Sequence, residues 1–212
     1  MEIDIKPLQR KDYNIAISFA VMGMNFNRYM KNAFLLKIYG RYFFYMELSR
    51  ASQIIAAYCG DKLVGVLLAD MNGESKYCSS FWEKAYVKLV NFVQGIFYND
   101  SVSEYDKANS EMYKAFSKIC KTDGEICFLA ADQNAKINGI GTLLLREFEG
   151  REAGKRIYLY TDNNCTYQFY EHRGFERVGK KQICLSFSTD NEVTLSCYLY
   201  SKVCEVGGDS NV

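Results

Sequence analysis

One unit in the second half of the chain limits the possible folds more than any other segment. An apolar stretch of strand length (125–131) is followed by a polar loop (132–138), and Gly139-Ile140-Gly141-Thr142 then opens an apolar helix. A helix N-terminus presents unpaired N–H groups and a partial positive charge, and glycine lets that backbone approach a phosphate closely. The unit therefore predicts either a diphosphate cradle or a tight strand-to-helix turn that binds nothing.

Two nucleotide-binding motifs can be compared with this unit. A P-loop is excluded because no lysine precedes Thr142. A dinucleotide-binding fingerprint is closer, since Gly139 and Gly141 are followed by Asp162 at about the required distance of twenty residues. However, Leu144 occupies the third glycine position, and too little chain follows for a doubly wound sheet. Dinucleotide binding stays open as an alternative.

A second motif follows the next strand. Asn163 is followed by Tyr170 and then by the pair Gly174-Phe175. Together with 136–141, this spacing resembles the GNAT N-acetyltransferase superfamily, whose members use acetyl-CoA. The family's phosphate motif, Gln/Arg-x-x-Gly-x-Gly/Ala, reads Lys136-Ile137-Asn138-Gly139-Ile140-Gly141 here. The departure is Lys136, which keeps a positive charge but loses the fork geometry of arginine.

The resemblance implies an α+β fold with a central mixed, mostly antiparallel sheet flanked by helices. It covers nearly the whole chain except 74–121, which reads as a two-helix insertion between the third and fourth strands. We expect a single domain over 1–204 and a disordered tail over 205–212.

The insertion has its own sequence signals. Ser80 with Glu83, and Ser103 with Asp106, match the capping box of a helix start. The apolar stripes that follow are too wide for solvated helices, so we expect them to pack on the chain's own core or on a second subunit, as in a homodimer. Exposed, Trp82 and Phe97 would form an aggregation-prone patch.

The resemblance also implies roles for individual residues. The backbone at Leu129 and Ala131 would pair with the pantetheine arm, and Tyr170 would protonate the departing thiolate. The cofactor-binding residues it implies are Leu129, Ala131, Lys136, Ile137, Asn138, Gly139, Ile140, Gly141, Thr142 and Asn163. From the residues alone, Asn163 is equally a helix-start cap, and Tyr170 is equally a half-buried packing residue.

Composition excludes several other functions. The 26 basic and 25 acidic residues leave a net charge of +1, which gives no electrostatic attraction to nucleic acid or to an anionic membrane. The eight cysteines lack metal-ligand spacing, and with only one histidine, His172, we expect no metal site. No stretch is apolar enough to span a membrane, and no leader follows Glu2 and Asp4. We expect a cytoplasmic protein with reduced thiols.

The predicted activity is transfer of an acetyl group from acetyl-CoA to a primary amine by direct attack. The acceptor is a small molecule or a peptide, and the aromatic side chains expected to line its site are Phe26, Tyr29, Tyr42 and Phe44. The general base is not identified, although Asp132 lies at a strand end. Cys165 has no nearby histidine in sequence that would activate it as a nucleophile. The alternatives are a non-catalytic acyl-CoA-binding sensor, an interaction module built on 74–121, and the dinucleotide-binding protein.

Overall fold

A computed structural model describes residues 2–26, 32–77, 80–97, 101–186 and 192–205. A short 3-10 turn (Arg10–Asp12) precedes the first helix. The strands are β1 (Asp4–Lys6), β2 (Gln53–Cys59), β3 (Lys62–Met71), β4 (Gly124–Ala131), β5 (Arg156–Asp162), β6 (Glu176–Ser186) and β7 (Glu192–Val203). The helices are α1 (Tyr13–Gly23), α2 (Ala33–Arg50), α3 (Phe81–Phe97), α4 (Ser101–Phe116), α5 (Ile140–Arg151) and α6 (Gln168–Glu171). The predicted α+β class is confirmed, as is the two-helix insertion between β3 and β4.

The chain divides into two compact units. The first comprises Met1–Cys78, Asp123–Ile157 and Val203–Val212, and the second comprises Ser79–Thr122 and Tyr158–Lys202. The single domain over 1–204 stays a prediction. The predicted tail lies outside the described residues, apart from Glu205.

The sheet of the first unit has the strand order β1-β2-β3-β4, with each neighbouring pair antiparallel. Strands β2 and β3 form a hairpin. In its register Ala56 is opposite Val66, and Val66 is in turn opposite Ala130 on β4. The side chains of these three residues lie on the same face of the sheet, because successive strand residues point to opposite faces. On that face they pack in a core with side chains of α1 and α2.

Helix α5 contacts β2, β3 and β4 in the same unit. It approaches β3 closely at Gly65, where a Cβ atom would lie 2.6 Å from Ile140 Cγ2 and 3.0 Å from Leu144 Cδ1. Because successive strand residues point to opposite faces, Gly65 lies on the face opposite Val66. Because Gly65 has no side chain, α5 can pack close to β3. Gly65 thus determines the distance of α5, and of the loop that precedes it, from the sheet.

The second unit has the strand order β5-β7-β6, and its β6–β7 hairpin is antiparallel, with Ile183 opposite Leu195. Helix α4 packs on β6. The buried members of this second core are Ala108, Met112, Phe116, Ile183, Leu195, Cys197 and Leu199. The predicted burial of the second insertion helix is therefore confirmed.

The first insertion helix behaves differently. Its predicted capping box is confirmed, since Glu83 N donates to Ser80 Oγ (3.3 Å) and Ser80 N donates to Glu83 Oε2 (2.8 Å). Its apolar side chains are not buried in the single chain: Phe81, Trp82 and Leu89 are 75%, 78% and 60% exposed. The side chains of Phe97 and Ser103 lie outside the described residues. In the described ranges, no helix has the length and apolar character needed to cross a membrane.

Candidate functional site

Strand β4 leads into the candidate phosphate-binding loop. Its residues alternate, so that Phe128 and Ala130 are buried while Leu129 and Ala131 are partly exposed. On the β3 side, Leu129 is opposite Leu67 and Ala131 is opposite Gly65. The predicted pantetheine-binding residues therefore lie in regular strand geometry immediately before the loop.

Asp132 fixes the end of β4. Its N–H donates to the Val64 carbonyl (2.8 Å), and its carboxylate accepts from Lys62 Nζ (2.8 Å) and from the Asn134 N–H (2.9 Å). The hydrogen bond from Lys62, helped by the loop amides, lowers the pKa of this buried carboxyl group. A carboxylate with a lowered pKa is a weak base, so Asp132 anchors the loop rather than taking a proton from an amine.

The predicted phosphate-binding residues 136–142 form the loop before α5 and the first residues of that helix. Gly139 has a left-handed backbone (φ +84°), and no atom lies within 4 Å of the position a Cβ would take. The N-cap residue Gly139 has no side chain to cap the helix, whose first internal hydrogen bond runs from Leu143 N to Gly139 O (2.9 Å). Lys136 and Asn138 are exposed, whereas Ile140 is buried and anchors the turn. The arrangement leaves open space beside the N-cap glycine of this helix.

Asn163 lies in the second unit, directly after β5. Its N–H donates to Ser196 O (3.0 Å), and its side-chain Oδ1 accepts from Ser196 N (2.8 Å). Asn163 is therefore no helix cap, because α6 begins after Tyr167 and has no side-chain cap. It continues the ladder between β5 and β7 by means of its side chain. The group that remains to bind a ligand is its side-chain NH₂.

Tyr170 lies on α6, with its ring centroid 5.6 Å from that of Phe175 and 5.3 Å from that of Phe169. Gly174 has a left-handed backbone (φ +78°), and Phe175 N donates to Tyr170 O (3.0 Å). The Gly-Phe pair thus closes the helix that carries the tyrosine. Burial raises the pKa of the Tyr170 phenol well above its usual value, with Cys165 as a smaller cause, so the phenol keeps its proton at neutral pH. His172 is exposed.

Cys165 lies in the same part of the second unit. Asp162 O accepts from Cys165 N (3.1 Å), and Asp162 Oδ1 accepts from Asn164 N (2.8 Å). Burial and then the adjacent carboxylate raise the pKa of the Cys165 thiol to about 12. A thiol that stays protonated is a poor nucleophile, which disfavours an acyl-enzyme at Cys165.

Three polar side chains near Tyr170 form a hydrogen-bonded cluster that the sequence analysis missed. We call these residues, Glu171, Arg177 and Tyr200, the clamp. Glu171 Oε1 accepts from Tyr200 Oη (2.6 Å) and from Arg177 Nη2 (2.5 Å), and Arg177 Nε donates to Tyr200 Oη (2.8 Å). The guanidinium group also lies 4.2 Å from the ring centroid of Tyr198. Arg177 is directly opposite Tyr200 on the β6–β7 hairpin, so the register of that hairpin is the signal that would have identified the pair.

The residues expected to line the acceptor site are buried wherever the structure describes them. Phe26 packs against Tyr39 (4.9 Å between ring centroids) and Tyr42 is largely buried. The expectation for Phe44 is wrong, because its side chain has no exposed surface and lies in the core against Tyr13. Tyr29 lies outside the described residues.

Comparisons with known proteins place the fold. No protein-family model and no curated protein sequence matches the chain. Its fold is similar to that of the "histone acetyltransferase HPA2 and related acetyltransferase" of Corynebacterium glutamicum, with a TM-score of 0.55, 16% identity and coverage of 96% and 97% of the two chains. It is also similar to the PaiA N-acetyltransferase of Thermoplasma acidophilum in complex with coenzyme A, with a TM-score of 0.52, 14% identity and coverage of 96% and 99% of the two chains. A third similar structure is the ribosomal-protein-S18-alanine N-acetyltransferase of Escherichia coli, with a TM-score of 0.50, 11% identity and coverage of 100% and 99% of the two chains. The chain has the GNAT fold, as the two sequence motifs predicted.

Proposed function

We propose that the protein is an acetyl-CoA-dependent N-acetyltransferase acting on a primary amine of a small molecule or a peptide. The observation that carries the proposal is the start of α5. There, a left-handed Gly139 with open space beside it is the N-cap of the helix and has no side chain to cap it. Such a helix start is suited to an anionic diphosphate. The bound coenzyme A of the Thermoplasma structure of the same fold supports the same ligand class.

In this proposal two groups of residues bind the ligand. The loop amides over 137–142 and the ammonium group of Lys136 hold the diphosphate, and the backbone at Leu129 and Ala131 holds the pantetheine arm. Because Oδ1 of Asn163 is engaged by Ser196, only its NH₂ group serves as a donor to a pantetheine carbonyl.

The thioester, when bound, supplies an activated acetyl group to the attacking amine. Tyr170 then gives the departing sulfur its proton. A tyrosine phenol with its ordinary pKa of about 10 is already protonated at neutral pH, so the group has a proton to donate as the C–S bond breaks. The anchored Asp132 is not assigned as the base, since its lowered pKa opposes proton uptake from an ammonium group.

A thermal-shift titration tests the ligand class. Acetyl-CoA at a hundredfold excess over its dissociation constant stabilises a protein by about 2.7 kcal/mol, and NAD is expected to give no shift. Gly141→Val should remove the acetyl-CoA shift, because its branched side chain would occupy space that the diphosphate needs. Gly150→Val is the matched control, since Gly150 is on the same helix with nothing within 4 Å of a Cβ. A shift with NAD alone would instead favour the dinucleotide-binding alternative.

Turnover is measured separately, as release of the coenzyme A thiol in the presence of a panel of small amines and peptides. We expect release that depends on at least one amine. A protein that binds acetyl-CoA but transfers its acetyl group to no amine would be the non-catalytic sensor, and the proposal of an enzyme would then be wrong.

A further inference from the structure

Helices α1 and α2 of the first unit enclose an open groove between them, which we call the α1–α2 groove. Its volume is about 480 Å³, within the range of ligand-binding clefts. Its apolar lining comes from both helices, namely from Ile17, Val21 and Met22 on α1 and from Leu36 on α2. The groove therefore offers apolar contact along its length to a ligand that lies between the two helices.

The charged side chains that line the groove are both positive. Lys37 and Arg41 lie one helical turn apart on α2 and face the groove together with Asn14 of α1. Arg41 Nη2 donates to Asn14 Oδ1 (3.2 Å), whereas its buried Nε has no hydrogen-bond acceptor among the described residues. The partner of the guanidinium group is thus a neutral amide, and no carboxylate of the described residues neutralises it.

The sequence around the groove is basic as well. Between Asp12 and Glu47 the chain has no acidic residue and four basic ones, although the net charge of the whole chain is only +1. Carboxylates form the strongest hydrogen bonds with such cations, and a basic segment would be repelled. The groove is therefore complementary to an apolar segment that carries acidic side chains.

One end of the groove lies beside the strand to which the pantetheine arm is assigned. Gly23, the residue after Met22, packs on β4, where its Cβ would lie 3.5 Å from Ala130 Cβ. Ala130 is the middle residue of the stretch 129–131, which is proposed to hold the pantetheine arm. Asn14 is eight residues before Met22 on α1, so the opposite end of the groove is about 12 Å away.

We infer that the acceptor is a peptide whose first residues lie in the α1–α2 groove, with acidic side chains that pair with Lys37 and Arg41. This inference rests on the proposed acetyltransferase function and adds the class of the acceptor. Arg41, bonded to Asn14, lies at the far end of the groove, and Lys37 lies one turn nearer to Met22, at about half that distance. An extended peptide advances about 3.3 Å per residue, so the acidic residues are expected about two to four positions beyond the acetylated amino group.

The experiment compares three peptides that differ only at their third and fourth residues, which are two glutamates, two glutamines or two lysines. The value of kcat/KM for each is measured from the release of the coenzyme A thiol. We expect the glutamate peptide to exceed the glutamine peptide by at least about 5-fold and the lysine peptide by more, since exposed ion pairs contribute modestly. The difference should shrink in 1 M NaCl, where the Debye length falls to about 3 Å.

Charge reversal tests the two cations directly. Lys37→Glu combined with Arg41→Glu should reverse the preference in favour of the lysine peptide. The acetyl-CoA thermal shift should persist, because the residues assigned to the cofactor lie outside the groove. Lys114→Glu combined with Lys118→Glu is the matched control, since these exposed lysines have the same spacing and lie outside the groove; it should keep the original preference. If the reversed protein fails to fold by circular dichroism, Lys37→Gln and Arg41→Gln should each reduce the preference.

The outcomes separate this inference from the proposed function. Equal rates for the three peptides would overturn the inference alone. A preference for the glutamate peptide that survives reversal of both charges would do the same, as would acetylation of small amines but of no peptide. If acetyl-CoA binds and no amine of any kind is acetylated, the proposed function fails and the inference fails with it.

Discussion

Gly65 offers the sharpest test of how the loop-bearing helix is held on the sheet. In Gly65→Ala the new methyl group would lie 2.6 Å from Ile140 Cγ2 and 3.3 Å from the Ala130 carbonyl oxygen. Carbon atoms in contact are normally about 3.5–4.0 Å apart, so α5 or β3 must move by about 1 Å. Overpacking of this kind costs about 1–3 kcal/mol, because a close-packed core has no space to receive the added atom.

A chain of this length loses about 2–4 °C in Tm per kcal/mol, so Gly65→Ala should melt about 2–12 °C below the wild type. Calorimetry or circular dichroism measures the difference. The acetyl-CoA shift should also weaken, because the displaced helix carries Gly139 at its N-terminus. Gly23→Ala is the matched control: its Cβ would meet Ala130 Cβ at an ordinary 3.5 Å, and we expect no change.

A double-mutant cycle identifies the atoms responsible. Ile140→Ala removes the Cγ2 atom that the new methyl group would strike, so the double variant should be more stable than the sum of the two single effects predicts, by about 0.5–3 kcal/mol. Additive effects, or a Gly65→Ala protein as stable as the wild type, would refute the argument that the bare backbone at Gly65 sets the depth of α5.

The remaining predictions concern proton transfer and the loop anchor. Tyr170→Phe should leave acetyl-CoA affinity and Tm nearly unchanged while kcat falls by about 10²–10⁴; a loss of several kcal/mol in stability would instead indicate a packing role. Lys62→Met should lower stability at pH 7 by about 1 kcal/mol or less, since Lys62 is largely exposed. Because the pKa of Asp132 is lowered in the folded state, the ion pair stabilises the protein above the unfolded pKa of about 3.9. The difference between wild type and Lys62→Met, followed by urea unfolding, should therefore vanish as the pH falls below that value, and a constant difference would contradict the assignment.

Local signals in the sequence were enough to predict much of the fold. The capping box of Ser80 with Glu83 and the two helices between β3 and β4 each depend on residues close together in the chain. Contacts between distant residues were not predictable in this way. Asn163 and Ser196 are separated by 33 positions, and only the register of β5 and β7 brings them together.

Helix periodicity also leaves open which side faces the core. Helix α2 carries aromatic residues around much of its circumference, so the sequence alone could not show that Phe44 points into the core. On α3 the apolar arc is clear from the sequence, yet its outward orientation follows only from the structure. Orientation depends on what else is available to pack, and this is a property of the whole assembly rather than of the helix.

The clamp of Glu171, Arg177 and Tyr200 has a consequence for the motions of the protein. Helix α6 has only four residues, so it cannot be stable as an isolated helix. The hydrogen bonds from the β6–β7 hairpin to Glu171 tie its opening to that of the hairpin. The amide protons of α6 should therefore exchange with deuterium almost as slowly as those of the hairpin, and Arg177→Met should release α6 to exchange at the rate of a loop. Tyr170, the proposed proton donor, would then be held in place by β6 and β7, two strands to which we assign no catalytic residue.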